Sequence, residues 1–164
     1  MIYNFKTTPY KHQLTALEKS WDKPEYGYFM EMGTGKSKVL VDNMAMLYDK
    51  GRINGALIVA PKGVYNNWFT QEIPNHLVDH IQPTMVLWTP SNSIKKKEEY
   101  KTLFKTNFDL HILIMNVEAF STKKGLEFAY KFMSCHDTMF AIDESTTIKN
   151  PSAKRTKSIL SLSK

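Results

Sequence analysis

The chain has 164 residues, 42% of them hydrophobic and 12% aromatic, enough for one domain with a buried core and too apolar for intrinsic disorder. Lys and Arg together number 22 against 16 Asp and Glu, a formal charge of +6 that favours a polyanionic partner. Cys135 is the single cysteine, so no internal disulfide forms; no apolar run is long enough to span a bilayer, and "MIYNFKTTPY" lacks a signal-peptide core, which leaves the cytoplasm as the default compartment.

In chain order, "HQLTALEKSW" (12–21) has helical spacing, and "YGYFM" (26–30) reads as a first short strand. Next come a helix over 36–51 that stops on Gly51, a strand "GALIVA" (55–60) and a helix over 63–77. A strand "TMVLW" (84–88), a lysine-rich helix over 93–106, a strand "LHILIM" (110–115), a helix over 123–135 and a strand "TMFAID" (138–143) follow, and the tail carries one more short helix. Strands alternating with helices predict an α/β fold with a mostly parallel central sheet, helices on both faces, and ligands at the carboxyl ends of the strands. No Pro- or Gly-rich linker divides the chain.

Between the first predicted strand and the helix after it lies "EMGTGKSK". Gly33 and Gly35 permit successive backbone N–H groups to converge on an anion, and the helix that starts near Lys36 directs its positive end to the same point. In a phosphate loop, Lys36 reaches the β- and γ-phosphates and Ser37 sets its hydroxyl on Mg²⁺. Met30 stands where the long form of the motif has its first glycine, so the match is to the shorter G-x-G-K-S form. The plain alternative is a glycine turn with a solvated lysine. A second element decides against it: "TMFAIDE" ends a predicted strand in Asp143 and Glu144, where Asp143 can hold Mg²⁺ and Glu144 can orient and deprotonate the attacking water.

Together these residues resemble the first RecA-like lobe of superfamily 2 helicases and translocases, most closely the Swi/Snf-type ATPase branch, over most of residues 1–164. The resemblance implies a three-layer P-loop NTPase lobe that binds ATP and Mg²⁺. "TTPYKHQLTAL" is similar to the adenine-reading segment, implying Gln13 on the adenine edge with Tyr10 and Lys11 near the base or phosphates. "MEMGTGKSK" is similar to the first motif, implying that Met32, Gly33, Thr34, Gly35, Lys36, Ser37 and Lys38 form the phosphate site. "ALIVAPKGVYNNWFTQEI" resembles the next block, which implies nucleic-acid backbone contacts from Pro61, Lys62 and Gly63, and "ILIMNVEAF" implies a further one near Asn116. "IDESTTIKN" is similar to the acidic motif, with Ser145 and Thr146 where the branch commonly has alanine and histidine.

The likeness around "APKGVYNNW" favours DNA over RNA. It further implies that the second lobe, which supplies the transition-state arginines, lies outside this chain. Neither Arg52 nor Arg155 sits in such a motif, so the isolated lobe is expected to bind ATP and turn it over poorly. A non-catalytic, ATP-gated module that binds nucleic acid or protein is the alternative; a small-molecule kinase is a weaker one. The excess of lysine over arginine fits an AT-rich source, a viral one included. The run Lys95, Lys96, Lys97, Lys101 and Lys105 is expected to be a solvated helix face interrupted by Glu98 and Glu99. Trp68 is expected in the core rather than as a stacking platform, no zinc-ligand spacing appears, and the basic tail of Lys149, Lys154, Arg155 and Lys157 is expected either to approach DNA or a second lobe or to fray.

Overall fold

The computed structural model describes residues 3–31, 33–105, 109–144, 150 and 154–162. Four strands, β1 (Gly55–Ala60), β2 (Thr84–Leu87), β3 (His111–Asn116) and β4 (Thr138–Ile142), form one sheet in the order β2-β3-β1-β4. Every pairing is parallel, with Gly55 opposite both His111 and Thr138. Parallel strands need a crossover between them, and the sequence supplies helices for that purpose.

The helices are α1 (Lys11–Ser20), α2 (Lys36–Asp49), α3 (Tyr65–Asn67), α4 (Ile73–His76), α5 (Ile94–Thr102), α6 (Lys123–Cys135) and α7 (Lys154–Leu162). Side-chain alternation along β1 sorts the core into two halves. Ala56, Ile58 and Ala60 pack with Val41, Met44 and Ala45 of α2 and with Trp68 and Ile73. Leu57 and Val59 face the other way, toward Ala129 and Phe132 of α6 and Ile159 and Leu162 of α7. The result is three layers, helix, sheet and helix, and α1 lies outside them against α2 through Leu17 and Val39.

Two expectations are corrected. Residues 26–30 do not join the sheet. Tyr28 and Met30 turn toward Leu17 and Val39 while Phe29 is fully exposed at 101%, so the alternation is that of a strand but the ladder partner is lacking among the described residues. A β-like pattern reports fit to a pleated surface and cannot by itself supply a neighbour. The tail around residues 154–162 is also no frayed end, since α7 buries Ile159 and Leu162, and Tyr130 Oη lies 2.6 Å from Ser161 Oγ.

Elsewhere the expected elements form. Gly51, with φ of 64°, ends α2 in the left-handed conformation that glycine tolerates best. Ser93 caps α5 by accepting from the Lys96 N–H at 3.2 Å, and the lysine face is self-paired through Lys96–Glu99 at 2.8 Å and Lys101–Glu98 at 2.6 Å. Within the helix predicted over 63–77, residues Trp68–Glu72 widen into a π-helical turn in which the Ile73 N–H donates to the Trp68 carbonyl. Pro74 has no N–H to give Thr70, which favours this wider turn. Among the described residues no helix is long and apolar enough to cross a membrane, and no group of three or more His, Cys, Asp or Glu side chains could hold a metal.

One buried histidine predicts a pH response. His111 starts β3 at 0% exposure and stacks on His136 at 4.7 Å. His136 Nε2 donates to the Leu103 carbonyl at 2.7 Å. Burial, reinforced by the neighbouring His136, holds His111 below its usual value; the Asp109 charge and backbone bonds to Asn54 and Asp109 oppose this only in part. A folded-state pKa below the unfolded one means stability that is full above the unfolded value and is lost as pH falls through it. Thermal melts of the chain should therefore weaken as pH drops below about 6.5, and His111→Leu should flatten that part of the profile. An unchanged profile in the variant would assign the loss to other groups.

Candidate nucleotide-binding site

The glycine loop has the geometry its sequence requires. Gly33 and Gly35 both adopt left-handed φ, at 77° and 79°, where a side chain is strained. A Cβ on Gly35 would also lie 2.3 Å from Gln13 Nε2, so that position is closed by contact as well as by dihedral. Thr34 folds the turn back by donating its hydroxyl to the Glu31 carbonyl at 2.6 Å. Helix α2 begins at Lys36 with Gly35 at its N-cap, which puts the first N–H groups and the positive end of the dipole at the loop. Lys36 Nζ donates to the Met30 and Glu31 carbonyls, both at 3.0 Å, so the ammonium spans the loop from beneath. Ser37 follows in the first turn of α2. Met32, expected in this site, lies outside the described residues.

Helix α1 forms the adjoining wall. Gln13, only 4% exposed, donates from Nε2 to the Thr34 carbonyl at 3.0 Å and accepts the Tyr10 N–H on Oε1 at 2.9 Å. Both ends of its amide are thus engaged, and the residue ties α1 to the phosphate loop. Tyr10 is 71% exposed and stacks on His12, whose Nε2 lies 3.0 Å from the Thr34 carbonyl, so the two rings flank the same loop. Lys38, expected among the nucleotide contacts, points elsewhere: its Nζ pairs with Asp42 at 2.7 Å, both side chains buried, and lies 5.5 Å from the centre of the Phe5 ring. Burial pushes the Asp42 carboxyl up, and Lys38 opposes that in part. The ion pair with Asp42 one turn on, at i+4, holds the Lys38 ammonium along the helix and away from the loop.

The acidic residues sit at the carboxyl end of β4. Asp143 N–H donates to the Val59 carbonyl at 2.8 Å, carrying the β1–β4 ladder one residue past the strand. Glu144 then takes φ of 51°, uncommon for a residue with a side chain, just past the end of the strand. Trp68 Nε1 donates to Asp143 Oδ2 at 2.9 Å. Burial raises the Glu72 carboxyl, and the charge of Asp143 adds to that, while the Asn67 amide donates to Glu72 Oε1 at 3.1 Å. A narrow apolar void lined by Leu40 and Val41 of α2, Ala141 of β4 and Trp68 lies in the core between α2 and the sheet. Leu40 is one turn beyond Lys36, and Ala141 is two residues before Asp143. Ser145 and Thr146 lie outside the described residues.

The remaining expected residues share that sheet edge. The register sets Ala60 opposite Asn116, so the loop that begins at Pro61 leaves β1 beside the end of β3. The Pro61 carbonyl accepts the Val64 and Tyr65 N–H groups at 2.8 and 2.9 Å, forming a tight turn that leaves Lys62 and Gly63 exposed. Asn116 is 8% exposed, and its Oδ1 accepts the Ala119 N–H at 2.9 Å, capping the short 3₁₀ helix Val117–Ser121. Sequence reasoning placed Trp68 correctly in the core but missed its bond to Asp143, because helical spacing reports burial and carries no signal for a single N–H.

A parallel sheet covered on both faces, with a glycine loop, lysine and helix N-terminus on one side and a strand-end acid on the other, defines a three-layer P-loop NTPase lobe of the RecA type. The chain matches the model of the SNF2-related domain over residues 28–164. It belongs to that family. Its fold is similar to that of the Sulfolobus solfataricus SWI2/SNF2 ATPase core in complex with dsDNA, with a TM-score of 0.66, 18% identity and coverage of 95% of this chain. It spans 30% of the length of that solved chain. No curated protein sequence matches it.

Proposed function

We propose that the chain is the ATP-binding lobe of a DNA translocase or helicase, with the nucleotide on the glycine loop and DNA across the neighbouring strand ends. The observation that carries this is Lys36 at the start of α2, bridging a loop whose two glycines both hold left-handed φ. In this reading Tyr10 and Gln13 approach the adenine, Gly33, Thr34, Gly35, Lys36 and Ser37 cradle the phosphates, and Glu144 positions the attacking water.

The donor set fits Mg²⁺. Ser37 offers a hydroxyl and Asp143 a carboxylate whose Oδ2 is held by Trp68, leaving Oδ1 for the cation, and hard oxygen donors with waters suit this ion. Bound there, Mg²⁺ would neutralise charge that develops on the phosphates. Of the two arginines, Arg52 follows α2 at the end remote from Lys36, roughly 20 Å away for a helix of this length, and Arg155 lies on α7. That arrangement supports a lobe that binds ATP and depends on a second RecA-like lobe, in the same or another chain, for fast hydrolysis. It equally supports an ATP-gated binding module; DNA-stimulated hydrolysis when a second lobe is supplied would favour the translocase.

DNA is proposed to cross Lys62, Gly63 and the Pro61 turn, with Asn116 acting mainly by shaping the end of β3. If Lys62 and one or two neighbouring cations neutralise about two or three phosphates, the log–log dependence of duplex affinity on salt should have a slope of about −2 to −3. Titration of a labelled duplex at several salt concentrations measures it. A slope near zero would remove the backbone-contact role.

A further inference from the structure

We infer that Trp68 is a positioning residue for the metal: its indole N–H fixes the Asp143 carboxylate in the orientation that receives Mg²⁺. The proposal rests on the reading of Asp143 as a Mg²⁺ ligand given above.

Three observations support it. The bond is direct, 2.9 Å from Nε1 to Oδ2, and an indole N–H can only donate, so its sense is fixed. The donor is immobilised. Trp68 is 1% exposed and wedged with Ile58 of β1 and Met44 of α2, so its ring cannot swing without disturbing the layer that also carries the phosphate loop. Finally, burying a tryptophan in this protein does not by itself bring an acceptor to the ring. The N–H of Trp88, 2% exposed in the opposite core half, has no partner among the described residues.

The π-helical turn explains how Trp68 gets there. The bond from the Ile73 N–H to the Trp68 carbonyl spans five residues, and the extra residue rotates Trp68 relative to α4, which remains docked on α2. Lys6 Nζ donates to the Pro74 carbonyl at 2.9 Å and Thr7 Oγ1 lies 3.2 Å from His76 Nδ1, so the segment leading into Tyr10 braces α4 from outside. Ligating carboxylates are commonly oriented by such outer partners, whose loss weakens metal affinity by about 10- to 100-fold.

The test uses the full chain and three variants: Trp68→Phe, Asp143→Asn, and a chain with benzothienylalanine at position 68, which keeps the fused ring and replaces N–H with sulfur. A fluorescent ATP analogue is titrated first in chelator and then over a Mg²⁺ series, with thermal melts as the folding check. The expected result is nucleotide affinity in chelator within about twofold of the parent, and a half-saturating Mg²⁺ concentration raised roughly tenfold or more in Trp68→Phe. If Trp68→Phe fails to fold, the benzothienylalanine chain, which preserves core volume, carries the same expectation. A folded variant with an unshifted Mg²⁺ dependence would overturn the proposal. If Mg²⁺ leaves ATP affinity of the parent unchanged, or Asp143→Asn behaves as the parent does, the reading of Asp143 itself falls and the proposal with it.

Discussion

Lys36→Ala is expected to remove measurable ATP binding. Its ammonium occupies the floor of the loop, 3.0 Å from the carbonyls of Met30 and Glu31, and can exchange those neutral acceptors for phosphate oxygens without moving α2. A hydrogen bond to a charged group contributes about 1.5–3 kcal/mol, and lysine places more than one such donor among the phosphates. The expected loss is therefore at least about 100-fold, equivalent to ~2.7 kcal/mol, enough to take a micromolar ligand beyond the range of ordinary calorimetry. The fold should survive. Helix α2 is anchored by Val41, Met44 and Ala45 on the sheet and by Val39 against α1, none of which contacts depend on Lys36. Calorimetry of a folded variant with the parent's affinity would withdraw the phosphate-loop assignment.

Glu144→Gln is expected to separate binding from chemistry. In a protein carrying both RecA-like lobes, the variant should retain ATP while turnover falls by about 10² to 10⁴, the usual contribution of a positioned general base. The side chain is exposed at the end of β4, and glutamine keeps its length, so the substitution spares the core and leaves the left-handed turn as it stands. An uncommon backbone conformation at a strand-end acid is the kind of local strain that functional sites store. Steady-state hydrolysis at the parental rate would take Glu144 out of the base role, leaving Asp143 and the loop as a nucleotide-binding pair.

The two predictions differ in how far each was legible before folding. "GTGKS" is local chemistry: two glycines permit the left-handed turn, and the helix pattern that follows fixes where Lys36 stands. The strands β1 and β3 were equally plain, because the short apolar runs GALIVA and ILIM between helical segments are buried on both faces of a parallel sheet. The stretch at 26–30 has the same local signature and forms no ladder, and Lys38, two residues after Lys36, turns into a buried pair with Asp42. Gln13 was expected at the adenine edge from its motif, and what the motif could not show is that its amide ties α1 to the glycine loop through bonds to Tyr10 and Thr34.

Sequence alone determined the α/β class, the glycine turn before α2, the acidic strand end and the family, since each is written in residue types along the chain. The tertiary structure decided which of those residues meet. Asp143 is held by a tryptophan 75 positions away, delivered by a π-helical turn and by packing on two strands and a helix. Periodicity predicts that such a side chain is buried; only the closed core sets the direction of its single N–H.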